Sequence, residues 1–324
     1  MQGTYGNGRL VTVFGGSGFV GRHVVRALAN RGYRIRVAVR RPDLAGFLRP
    51  LGMVGQVQPV QANLRYPDSV AAVLQGAVAA VNCVGILTET RRQTFDAVHV
   101  EGAGAIARAA ANAGVERLVH VSAIGADPQS PSESARSKAE GEEAVAQAFA
   151  KPVIVRPSVQ FGVGDSFFTR FATMARVSPI LPLVGSDTKF QPVYVGDVAR
   201  VIQAGVDGTI AANRIYELGG PEVLTFRECM EEMLRVIERR RLMIDIPFGL
   251  ARMMGGVLQF LPGRLLTPDQ VRQLAIDNIV SEEAKRDRRT LQGLGIHPTG
   301  LEAILPTYLS RFRVRGQFSR QRNA

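Results

Sequence analysis

Three glycines separated by two residues each, Gly15-x-x-Gly18-x-x-Gly21, carry the first chemistry that can be read from the chain. That spacing suits a diphosphate. Gly15 lets the backbone turn sharply, Gly18 presents no Cβ to an approaching pyrophosphate, and Gly21 lets a helix pack close to the strand before it. Ser17, Phe19 and Val20 complete the turn, and the free N–H groups of the helix start face the phosphate charge. About 20 residues further on, an NAD-preferring site places an acid for the ribose 2′-hydroxyl. This chain has Arg40-Arg41 there. An acid would repel a 2′-phosphate, whereas a guanidinium grips it in a fork. The pattern therefore predicts NADP(H) rather than NAD(H).

These residues need a strand before the glycines and a helix after them. Leu10, Val11, Val13 and Phe14 read as a buried strand, and Val20, Val24, Val25 and Leu28 as one face of a helix. Further strands are predicted at Arg34–Val39, Val57–Val60, Ala79–Val81, Val115–Val121 and Pro152–Val155, with helices over 68–74 and 92–112 between them. Alternation of this kind predicts an α/β fold, a doubly wound parallel sheet with right-handed crossovers. Ligands bind beyond the carboxyl ends of such strands. The candidate walls are therefore Arg40-Arg41, Asn63-Leu64, Asn82 to Gly85, Ser122-Ala123 and Arg156-Pro157-Ser158. Residues 1–220 are expected to form the dinucleotide-binding domain, with a short insertion near 178–190. Residues 221–324 are expected to form a smaller mixed domain with a basic tail.

The glycine motif, Asn63-Leu64, Asn82 to Gly85, His120-Val121-Ser122 and Arg156-Pro157 resemble the extended and atypical short-chain dehydrogenase/reductases. The likeness continues through Gln191 to Ala199, where Asp197 is expected to cap a helix. Active members of that family use Tyr-x-x-x-Lys, helped by a Ser at the end of the fifth strand. The spacing places Tyr and Lys on one helix face. Lys lowers the Tyr pKa and holds the nicotinamide ribose, and Tyr passes the proton. Lys138 and Ser122 match, but the Tyr position holds Ser134. A serine hydroxyl is shorter and far less acidic than a phenol. No tyrosine lies between Tyr66 and Tyr194, so only folding could bring Tyr194 in as a substitute. The resemblance implies a nucleotide site of Gly15, Ser17, Gly18, Phe19, Val20, Gly21, Arg40, Arg41, Asn63, Leu64, Asn82, Val84, Gly85, Ser122, Lys138 and Pro157, with no catalytic residue and no metal ligand.

The C-terminal third reads differently. Thr225 and Glu228 suit a capping box ahead of an amphipathic helix. Arg239-Arg240-Arg241 leads into a short strand, and Phe248–Leu261 carries a single charge, Arg252. Thr267-Pro268 reads as a helix start through Val271, Leu274 and Ala275. The stretch Tyr308 to Arg322 holds five arginines and no acid, as an anchor on an anionic surface would. With Leu266–Gln270, Asp277-Asn278, Gly295-Ile296, Pro298 and Leu301–Arg313, the chain is similar to the short-chain-dehydrogenase-like accessory subunits of respiratory complex I, in their bacterial form. That resemblance implies a retained NADPH, other complex I subunits near the quinone site as partners, and an anionic phospholipid surface nearby. It places the chain on the cytoplasmic face of a bacterial inner membrane, or on the matrix side if eukaryotic. The alternative is a free NADP-dependent reductase or epimerase acting on a sugar-nucleotide, quinone or lipid-linked substrate.

Composition agrees with these expectations. The chain has 324 residues, 46% hydrophobic and 6% aromatic, with no tryptophan, so Val, Leu, Ile and Ala must build the core. A net charge of +12 points to an anionic partner. Zinc-finger spacing, RNA-recognition signatures and basic heptad helices are missing, which argues against nucleic acid. Cys83 and Cys229 lack metal-type spacing, and His23, His99, His120 and His297 form no cluster in sequence. The first ten residues have no apolar signal core.

Overall fold

Leu10–Phe14 forms β1, an inner strand of a seven-stranded sheet in the computed structural model, which describes residues 8–91, 93–258 and 267–314. Helix α1 (Phe19–Asn30) follows, then β2 (Arg34–Val39), β3 (Val57–Gln61), α2 (Pro67–Leu74) and β4 (Ala79–Asn82). A π-helical turn at Asp96–Glu101 opens α3 (Gly102–Asn112). After it come β5 (Arg117–Val121), α4 (Glu133–Ala148) and β6 (Val153–Pro157). Strand order is Arg214–Leu218, β6, β5, β4, β1, β2, β3, and every neighbouring pair is parallel. The order reverses between β1 and β4, so the binding crevice lies beyond their carboxyl ends. Register levels those ends: Phe14 faces Ala38 on one side and Asn82 on the other, and Asn82 faces His120. The predicted doubly wound sheet is therefore present.

The strand Arg214–Leu218 was not expected from sequence. Its Glu217 breaks the apolar run and is buried, with its carboxylate 3.8 Å from the Arg156 guanidinium. On one side of the sheet Phe14, Ala80, Ile106, Ala107, Leu118 and Val145 form a close-packed core. Small residues dominate α3, which lets it sit near the strands.

The chain divides into two compact units that interleave in sequence. The first contains residues 1–157, 196–218 and 282–296, and the second 158–195, 219–281 and 297–324. This replaces the single boundary at 220, because sequence-distant pairings decide membership. Ile180–Val184, expected as an insertion, pairs in parallel with Leu242–Ile246 inside the second unit. The core of that unit is built on Phe168, Phe226, Met230, Met233, Leu305 and Leu309. Thr225 caps the helix Phe226–Val236 in a capping box with Glu228, as its sequence predicts. Thr267 caps Pro268–Gln273 in the same way, but that helix stops before Leu274. Asp197 is not a cap: the helix Val195–Asp207 has already begun, and Asp197 lies buried in its first turn with Arg200 at 3.4 Å. Residues 259–261 of the apolar segment, 262–266 after it and 315–324 of the basic tail lie outside the described residues. Among the described residues no helix is long and apolar enough to cross a membrane.

Candidate nucleotide site

The glycine turn starts where β1 stops. Gly15 has φ +70, a conformation that L side chains rarely adopt, and its N–H donates to the Ala38 carbonyl at 3.3 Å. A Cβ there would also lie 3.0 Å from the Cys83–Val84 backbone, so the loop after β4 abuts the turn. Gly18 N–H closes the turn onto Gly15 O at 2.9 Å. A Cβ on Gly18 would meet only that same oxygen, at 3.2 Å, so the outer side of the turn is open to a ligand. A Cβ on Gly21 would collide with Gly15 O and Gly16 Cα, which ties α1 to the turn itself. Gly16 was missed as a structural requirement: its Cβ would stand 2.5 Å from Val37 Cγ1. No side chain caps α1 at Gly18, which leaves the first N–H groups of the helix, those of Phe19, Val20 and Gly21, available to an anion. Ser17 lies within this turn, and its carbonyl, like that of Gly18, accepts from the Arg22 guanidinium.

The two arginines beyond β2 separate. Arg41 is held by Asp43 at 2.7 Å, which also raises the guanidinium pKa. Arg40 is exposed, and among the described residues it makes no ion pair. Of the two, Arg40 is free to meet a 2′-phosphate. Beyond β3, Asn63 exchanges hydrogen bonds with Ser69 and accepts from Arg65 N–H at 3.2 Å, while Leu64 packs where a Cβ on Gly102 would fall. Beyond β4, Asn82 Oδ1 accepts from Val84 N–H at 3.0 Å, and its Nδ2 lies 3.1 Å from His120 Nδ1. These bonds fix the path of the loop through Val84 and Gly85.

Ser122 N–H donates to Val155 O, which sets the strand end beside β6, and the next pairing is Ile124 N–H to Pro157 O. The Ser122 hydroxyl is buried without a hydrogen-bond partner among the described residues. An orphaned buried donor of that kind is costly unless a ligand meets it. Ser134 and Lys138 sit one turn apart on α4, whose first turn Ser132 caps. Glu142 on the same helix is locked to Arg156 by two bonds of 2.8 and 2.7 Å, which fastens α4 to β6. Burial lowers the Lys138 pKa, and the Glu142 carboxylate opposes that shift. Among the described residues the Lys138 ammonium has no ion-pair partner.

His99 and His120, which form no cluster in sequence, both feel the Lys138 charge in the fold. Burial is the largest cause of their depressed pKa values, about 3 for each, so both imidazoles are neutral. His99 lies in the π-helical turn, stacked 5.5 Å from Phe95. Its signal was the turn itself, which no sequence periodicity displays. Tyr194 belongs to the second unit, where its ring lies 6.0 Å from Phe161.

The residues present therefore fit a dinucleotide. There is an open glycine turn under an uncapped helix, a guanidinium with no ion pair among the described residues for a 2′-phosphate, and a buried hydroxyl and a half-buried lysine for a ribose. The position from which a phenol would pass a proton holds a buried serine.

A family profile described as NAD(P)H-binding matches residues 15–159, the stretch that carries this turn and its walls. NADH dehydrogenase (ubiquinone) 1 alpha subcomplex subunit 9, mitochondrial, of Arabidopsis thaliana is 34% identical, over 96% of this chain and 79% of its own length. The mitochondrial NADH-ubiquinone oxidoreductase 40 kDa subunit of Neurospora crassa is 32% identical, over 94% of this chain and 80% of its own length. Among solved structures, the NADPH complex of the quinone oxidoreductase QOR2 of Escherichia coli superposes with a TM-score of 0.72 at 18% identity, covering 93% of this chain and 99% of that one. That last likeness concerns the fold. The chain has an NAD(P)H-binding domain, and over almost its whole length it belongs to the family of NADH dehydrogenase (ubiquinone) 1 alpha subcomplex subunit 9 and the fungal 40 kDa subunit.

Proposed function

We propose that this chain is an accessory, non-catalytic subunit of NADH:ubiquinone oxidoreductase (complex I) that retains NADP(H) as a structural ligand. One observation carries the reading: a glycine turn and an uncapped helix start suited to a nucleotide are present, while Ser134 stands where a proton-donating tyrosine would be needed. In its reduced form the nucleotide could supply a hydride, but in this reading it serves as a structural ligand. The chain's own residues would bind the nucleotide and hold it in place. The α1 N-terminus and the glycine turn would meet the pyrophosphate, Arg40 the 2′-phosphate, and Ser122 and Lys138 the nicotinamide ribose. Asn63, Leu64, Asn82, Val84, Gly85 and Pro157 would line the remaining walls. A ligand bound only by the folded state adds about 2.7 kcal/mol of stability at a hundredfold excess over its Kd, so retention alone gives the nucleotide a role.

The partners in this reading are other complex I subunits near the quinone site, and an anionic phospholipid surface that attracts the basic C-terminal third. The location is the inner face of the respiratory membrane, the cytoplasmic side in a bacterium. Purification from membranes in mild detergent tests it. The expected result is co-migration with the large subunits of the complex and no NADPH oxidation by the isolated chain. A free oligomer that oxidises NADPH with a small carbonyl, and loses that turnover in Lys138→Ala, would overturn it. The alternative, a free reductase or epimerase, draws weak support from a reductase relative that matches 60% of this chain and from the Ser122 and Lys138 pair, and that pair also serves binding.

A further inference from the structure

The nucleotide reading leaves His99 unused, yet this side chain spans the two walls that would enclose the nicotinamide end. On one side Ile86 N–H donates to His99 Nε2 at 3.1 Å, directly after the loop residues Val84 and Gly85. An acceptor at Nε2 places the ring proton on Nδ1. On the other side Nδ1–H donates to Ser137 Oγ at 2.9 Å, and the Ser137 hydroxyl donates to Ser134 O at 3.0 Å. Ser137 is the neighbour of Lys138 in α4. The histidine sits in a π-helical turn, a form that frequently marks functional positions. The turn is packed without slack: a Cβ on Gly141 would collide with the His99 carbonyl, and a Cβ on Gly102 would come within 2.8 Å of Leu64. The titratable and charged groups facing the imidazole are Lys138 on α4 and His120 on β5.

We infer that His99 is a positioning residue, a latch that ties the Val84–Ile86 loop to the Ser134–Lys138 turn and so slows release of the bound NADP(H). The inference rests on the nucleotide reading above. Neutral His99 accepts from one wall and donates to the other. A group lacking either function frees one wall, and nucleotide escape needs only one wall to move.

The experiment is displacement of NADPH from the full chain followed by fluorescence, with thermal unfolding of the nucleotide-free proteins measured beside it. Ser137→Ala and His99→Phe are expected to speed release by about fivefold or more, the size of one net hydrogen bond. His99→Gln carries both an oxygen acceptor for Ile86 N–H and an amide donor for Ser137 Oγ, in poorer geometry, so its release rate should fall between those of wild type and His99→Phe. A merely structural role would lower melting temperatures without that graded rescue. Should His99→Phe fail to fold, Ser137→Ala, which removes one hydroxyl, still decides. Release rates in the folded variants that match wild type would overturn the latch. A wild-type protein that holds no NADPH would instead overturn the nucleotide reading.

Discussion

At the residue scale, charge and protonation make the sharpest demands. Among the described residues Arg40 makes no ion pair and Arg41 is engaged by Asp43, so the two arginines should not be equivalent. Arg40→Ser is expected to weaken NADPH binding by about ten- to a hundredfold, the worth of a charge-assisted hydrogen bond, and to leave NADH unchanged. Arg41→Ser should do less, and calorimetric titration of both nucleotides checks the difference. His99 and His120 set a pH dependence. Unfolded, each takes a proton near pH 6.5, whereas in the fold it does so only near about 3. The unfolded state thus binds more protons below pH 6.5. Stability from these groups is complete above that pH and falls as the pH drops towards 3, by up to about 1.4 kcal/mol per pH unit for each histidine. Urea unfolding between pH 6.5 and about 5 should show the slope, and His99→Gln should reduce it. The glycine turn was legible in sequence from its spacing, and the Lys138 and Ser134 positions from the resemblance to the short-chain dehydrogenase/reductases; the difference between Arg40 and Arg41 was not, because it comes from Asp43. The histidines were not, because their meaning comes from burial and from hydrogen bonds that only the fold supplies.

At the element scale, α4 is the part that aims the site, and two features hold it. The Arg156–Glu142 fork fastens it to β6, and Gly141 lets it approach the π-helical turn. Arg156→Ala would leave a buried carboxylate without its counter-charge and is expected to cost about 3–5 kcal/mol. Gly141→Ala would drive a methyl into the His99 carbonyl and should cost about 1–3 kcal/mol through overpacking. Chemical denaturation measures both. Six strands and the capped helix Phe226–Val236 could be read from periodicity and cap residues. The strand Arg214–Leu218 could not, since its buried Glu217 resembles a surface position until Arg156 is placed beside it. Asp197 misled for a related reason: an acid near a helix start reads as a cap whether it precedes the first turn or lies within it.

At the scale of the whole molecule, composition fixed the class of core but not the division of the chain. Segments near 160, 180, 190 and 225 join one unit through pairings such as Ile180–Val184 with Leu242–Ile246, and a linear reading assigns most of them to the other. The family membership of the chain rests on matches that span both units. The account as a whole stands on a phosphorylated dinucleotide resident in a cradle without a phenol. Denaturing the protein purified from its native membrane and identifying the released nucleotide by chromatography tests this most directly. NADP(H) in equal molar amount to the chain is the predicted result. An empty protein, or one carrying NAD(H) instead, would contradict the account.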